Sequence, residues 1–115
     1  MLSYKAPLMD IKFLVEDVFK YYDHYQKFPE FAEATPDLVD AIFQECAKFC
    51  ENELLPLNQS GDKEGCRFEN GQVYTPKGFK EAYQQYVDGG WQSLSHPIEH
   101  GGQGLPPSLG MAKSE

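Results

Sequence analysis

Residues 35–56, TPDLVDAIFQECAKFCENELLP, read as one amphipathic helix. Leu38, Val39, Ile42, Phe43, Cys46, Phe49, Cys50 and Leu54 recur at steps of three and four, which places them on one wide apolar stripe. Thr35 is a residue type whose side-chain oxygen caps free backbone N–H groups. Pro36 suits the first turn, where its missing N–H leaves no bond unmade. Asp37 puts negative charge at the positive end of the helix. Pro56 predicts the stop, because proline disfavours helical backbone in the residue before it.

The flanks extend this reading. Upstream, Ile11, Leu14, Val15, Val18, Tyr22 and Tyr25 form a second stripe. It predicts a helix over about Asp10 to Tyr25, bounded by Pro7 and Pro29. Downstream, residues 58–74 are polar and turn-rich. Asn70-Gly71 is a tight-hairpin dipeptide, which pairs residues 66–69 with residues 72–74. A lone two-stranded hairpin is marginal in water, so this one is expected to lie against the helices. Thr75-Pro76 repeats the start signal, and Phe79, Tyr83, Tyr86 and Val87 give a third stripe that Gly89-Gly90 ends. Trp91 and Leu94 are expected core anchors. The remainder, rich in Gly and Pro from Pro97 to Gly110, predicts an extended loop and a new helical turn at Ser108–Glu115. The expectation is an all-α fold: three main helices, a short hairpin or loop insertion, and a Gly/Pro-rich C-terminal loop.

Composition narrows the function classes. A length of 115 residues suits one structural unit, with residues 1–34 as an N-terminal extension carrying the first helix. Lys and Arg total 10 against 18 Asp and Glu, a net charge of −8, and Arg67 is the one arginine. Nucleic acid and anionic membrane surfaces both need clustered cations, so neither is an expected partner. No apolar run approaches the ~20 residues of a membrane span. The N-terminus also lacks the pattern of a secretory signal. Together with three cysteines, an odd count, this predicts a cytoplasmic protein with reduced thiols.

Three constellations invite a chemical reading. His96 and His100 have helical metal-ligand spacing, but Pro97 argues against a helix there, and Glu99 is the one adjacent carboxylate. Cys46 and Cys50 are four apart on an apolar face, which suits packing better than redox chemistry. Residues 99–104, EHGGQG, superficially suggest a phosphate cradle, yet no hydrophobic strand precedes them and no Lys-Ser/Thr follows. A shaped turn is the plainer reading. The carboxylates scatter over polar faces and mark no acid–base pair.

One stretch resembles a known family. Gly89-Gly90-Trp91, Leu94, Pro97, Glu99 and Gly101-Gly102-Gln103-Gly104-Leu105-Pro106 are similar, in type and spacing, to the N-terminal helical domain of acyl-CoA dehydrogenases. Tyr4-Lys5-Ala6-Pro7-Leu8, Asp62-Lys63-Glu64-Gly65-Cys66 and Thr75-Pro76-Lys77-Gly78-Phe79 look like a bacterial subgroup with an extra N-terminal segment, the 3-methylmercaptopropionyl-CoA dehydrogenase-like enzymes. His100 departs from the aromatic residue often found there. The resemblance implies FAD-dependent α,β-dehydrogenation of an acyl-CoA thioester, with the flavin as redox group. It also implies a β domain and a C-terminal helical domain that supply the base and most flavin contacts. This chain would then be an architectural piece, inactive and without FAD on its own. Its partners would be those missing domains, with acyl-CoA bound only in the complete enzyme. No catalytic residue transfers. Glu99, Gly101, Gly102, Gln103, Gly104 and Leu105 form the loop expected near substrate or flavin. The alternative is a stand-alone interaction module derived from such an enzyme, self-associating through exposed apolar surface.

Overall fold

The first apolar stripe folds as two short helices rather than one. The structure, a computed structural model, describes residues 3–115. Helix α1 (Leu8–Phe13) opens into a wide helical turn over Leu14–Val18, and α2 (Tyr21–Tyr25) follows. The break lies at Lys20, whose φ of +51° is left-handed and cannot continue a right-handed helix. It re-aims the aromatic rings. Phe19 stacks on Tyr21 at 5.3 Å and Tyr21 on Tyr25 at 6.0 Å, geometries that favour ring pairs. Tyr25 ends only 2% exposed, whereas Leu14 and Val18 leave the expected inner face and stand in solvent.

Helix α3 (Pro36–Phe49) begins as its sequence predicts, with the Thr35 hydroxyl accepting from the Leu38 N–H at 3.5 Å. Pro56 does not stop it. The helix widens over Cys50–Leu54 and continues as α4 (Leu55–Glu64), with Pro56 in the new first turn. A proline ring clashes with the carbonyl four residues back in a regular helix, and a widened turn relieves that clash. Residues 58–64, expected as loop, are therefore helical, and the chain leaves the helix at Gly65.

Strands β1 (Arg67–Glu69) and β2 (Gln72–Tyr74) pair antiparallel, Phe68 opposite Val73, about an Asn70-Gly71 turn with both residues at positive φ. The hairpin forms as predicted but does not lie against the helices: every strand residue is exposed, Phe68 by 72% and Val73 by 69%. Its support is local. Arg67 sits over the Tyr74 ring at 4.7 Å, and at the hairpin base the Lys77 N–H donates to Glu64 Oε2 at 2.9 Å. Helix α5 (Phe79–Asp88) starts three residues later than Thr75-Pro76 predicts, because Gly78 stays left-handed and no Thr cap forms. Gly90, at φ +74°, ends it as expected. Helix α6 (Pro107–Ser114) matches the predicted C-terminal turn.

Tyr25, Ala34, Val39, Phe43, Leu94 and Leu109 make one core cluster, so the N-terminal segment, α3 and the Gly/Pro-rich tail share an interior. The Tyr25 and Ser108 hydroxyls are hydrogen-bonded beside it. Leu94 is buried, while Trp91 is only half-buried. The body measures 55 × 37 × 17 Å, with a radius of gyration of 17.0 Å. A compact domain of this length has a radius of about 13 Å. Packed helices lie about 8–10 Å axis to axis, so the thin dimension corresponds to about two helix layers. Domains normally bury one layer against another. Beyond that shared interior, Met9, Phe13, Phe19, Tyr83, Ile98 and Met111 stand exposed.

The N-terminal segment is tied to the helix by one carboxylate. Glu51 accepts from the Ala6 N–H at 2.9 Å and faces Lys5 Nζ at 3.4 Å. The Ala6 N–H, then Lys5, hold its carboxyl below the usual range against a smaller opposing effect of desolvation. A lowered folded pKa gives stabilisation that is present above the unfolded carboxylate value of about 4.3 and is lost as pH falls through the folded value. The Ala6 amide resonance is therefore expected to titrate with a midpoint below about 4.3. It should lose that inflection in Glu51→Ala. A midpoint above that value, or an unchanged inflection in the variant, contradicts the tether.

Candidate functional site

The loop from Pro97 to Pro106 is shaped by its own backbone. The Gly101, Gly102, Gln103, Gly104 and Leu105 N–H groups donate in turn to the carbonyls of Ile98, Pro97, Ser93, His96 and Leu94, at 2.9 to 3.1 Å. Three of these bonds fold the 101–105 segment back along residues 93–96. The turn closes so tightly that a Cβ on Gly102 would lie 2.1 Å from the His96 carbonyl oxygen. Glycine is required there by the approach of two backbones. Gln103 adds a clamp that sequence reading missed: its Nε2 donates to the Gly90 carbonyl at 2.8 Å, pinning the loop to the end of α5. An amide side chain between two glycines was the available signal.

This geometry decides the phosphate question. A backbone anion cradle needs N–H groups pointing at the ligand. All five from Gly101 to Leu105 are already engaged inside the loop. What the loop presents outward is its rim: Ile98, Glu99 and His100 are exposed, with Glu99 Oε1 3.6 Å from His100 Nε2. Leu105 packs against the core instead. The six expected loop residues are thus brought together, but as a rigid corner with an apolar and acidic edge.

The two other constellations differ. His96 and His100 are both exposed, and among the described residues no three His, Cys, Asp or Glu side chains gather into a metal-sized group. Cys46 and Cys50 are half-buried along a cavity of about 460 Å³ between the N-terminal segment, α3 and the end of α6. Burial first, then the neighbouring Cys50, pushes the Cys46 thiol up to about 11. Cys66 is exposed on the hairpin side. Among the described residues, no helix is long and apolar enough to cross a membrane, and no buried side-chain N or O lacks a hydrogen-bond partner.

No protein-family profile matches the chain. A curated protein does: the chain is 44% identical over 114 residues to 3-methylmercaptopropionyl-CoA dehydrogenase of Ruegeria pomeroyi, an acyl-CoA dehydrogenase. The match covers 99% of this chain and 19% of that enzyme, so the chain spans about a fifth of its relative's length. The resemblance drawn from residues 89–106 and from the segments upstream thus holds along nearly the whole sequence.

Proposed function

We propose that this chain is the N-terminal helical part of an FAD-dependent acyl-CoA dehydrogenase acting on an acyl-CoA thioester in the cytoplasm. The observation that carries the reading is the 44% identity along 99% of the chain. The flat shape supports it, since a body drawn out to 55 × 37 × 17 Å with Met9, Phe13, Phe19 and Met111 exposed offers apolar surface to further layers. Residues 1–34 are the extension and residues 35–115 the incomplete domain. The role of the chain is architectural, and its partners are the β and C-terminal helical domains.

The residues present do not fit the flavin by themselves. The glycine loop has spent its N–H groups, and among the described residues no buried polar side chain waits for a ligand. The corner at Glu99 and Gly101–Leu105 contributes position: its internal bonds fix a rigid edge that faces the substrate or flavin region once the other domains are in place. Glu99 is a rim residue there, not the base.

The purified chain is expected to be colourless, and its light-scattering mass should rise with concentration as the exposed apolar residues pair. Flavin absorbance at near-stoichiometric occupancy would overturn the assignment of cofactor binding to the other domains.

A further inference from the structure

The cavity between the N-terminal segment, α3 and α6 holds chemistry that the architectural role leaves unused. Cys46 and Cys50 are one helical turn apart, where Cβ atoms are about 5–6 Å apart, so their sulfur atoms can converge on one atom between them. Both line the 460 Å³ cavity, and both are half-buried, so a small ligand reaches them. The second cysteine sits where the regular helix gives way to the wide turn of Cys50–Leu54, a place with local slack. Apolar neighbours Ile11, Leu54 and Leu55 and the Tyr4 ring complete the walls, which suits a ligand with an aromatic or alkyl group.

We propose that Cys46 and Cys50 form a bidentate dithiol site for a trivalent organoarsenical. The step is a condensation. Two As–S bonds form, the As=O bond breaks, and the oxygen leaves as water with the two thiol protons. Arsenic stays trivalent and no oxidant is consumed. This chemistry suits the site better than alkylation does, because it begins from the thiol. With its thiol pushed up to about 11, Cys46 holds only about a thousandth of its molecules as thiolate at pH 8. Cys46 should therefore be sluggish toward iodoacetamide yet join in capturing an arsenical. Lys113, the cation at the cavity's rim, is itself held by the Tyr86 hydroxyl at 3.0 Å.

Phenylarsine oxide is the probe, read by intact mass after a wash with excess monothiol. A single bridging adduct is expected to survive in the parent chain and in Cys66→Ser, with Cys50 protected from alkylation. Cys46→Ser and Cys50→Ser should each lose it, their affinity falling about 10²–10⁴-fold as the second attachment disappears. If a serine variant fails to fold by circular dichroism, the alanine variant and the peptide-level protection map carry the test. An adduct that the monothiol strips from the parent chain, or one that survives in a folded single-cysteine variant, overturns the site. Neither result bears on the dehydrogenase assignment.

Discussion

Replacing Gly102 with alanine is expected to destabilise the chain by about 3 kcal/mol or more, while Gly101→Ala loses only about 1–2 kcal/mol. The two positions are neighbours in one loop, but their physics differs. At Gly101 a Cβ meets nothing within 4 Å, so the loss is the strain of holding alanine at φ +84°. At Gly102 the φ is ordinary, but the Cβ would lie 2.1 Å from a backbone oxygen that cannot rotate aside. The two strands of the loop must part. That weakens the Gly102-to-Pro97 and Gly104-to-His96 bonds, each contributing about 0.5–1.5 kcal/mol. Trp91, the sole tryptophan, stands at the foot of this loop and reports on it. Denaturant unfolding followed by its fluorescence should rank Gly102→Ala well below Gly101→Ala. Equal losses would mean that the loop is not closed by the His96 carbonyl.

Leu109→Ala is expected to destabilise by about 2–5 kcal/mol and to lower the melting temperature by about 10 °C or more. Leu109 is 1% exposed and joins the core cluster to α6, packing with Tyr25, Val39, Phe43 and Leu94. Met111, two residues on and 76% exposed, is the control, and Met111→Ala should stay within about 0.5 kcal/mol. Comparable losses at both sites, read by thermal melts, would show that α6 is not anchored through Leu109.

What the sequence made legible was mostly local. The Thr35 cap, the Asn70-Gly71 turn, the stop at Gly90 and the helix at Pro107–Ser114 each follow from one or two residues with a strong conformational preference. The errors came where context overruled a local signal. Pro56 reads as a stop, yet a widened turn before it lets the helix run on to Glu64. The stripe through Leu14 and Val18 reads as a buried face, yet the break at Lys20 turns that face outward. The hairpin was expected to be packed because an isolated one is marginal, yet Phe68 and Val73 are bare. At the candidate site the glycine spacing revealed a shaped loop and a family resemblance. It did not reveal that every N–H from Gly101 to Leu105 is spent internally, because those partners, Ser93 to Ile98, are set by the fold of the loop and not by the motif.

The central claim is that this chain serves as the front helical layer of a flavin-dependent acyl-CoA dehydrogenase. The most direct test exchanges the matching 114-residue stretch of the Ruegeria pomeroyi enzyme for this chain and measures flavin absorbance and acyl-CoA oxidation in the hybrid. The expected result is a yellow hybrid, near stoichiometric in FAD, that oxidises the thioester while the chain alone does neither. A hybrid that folds yet loads no flavin and oxidises nothing would contradict it.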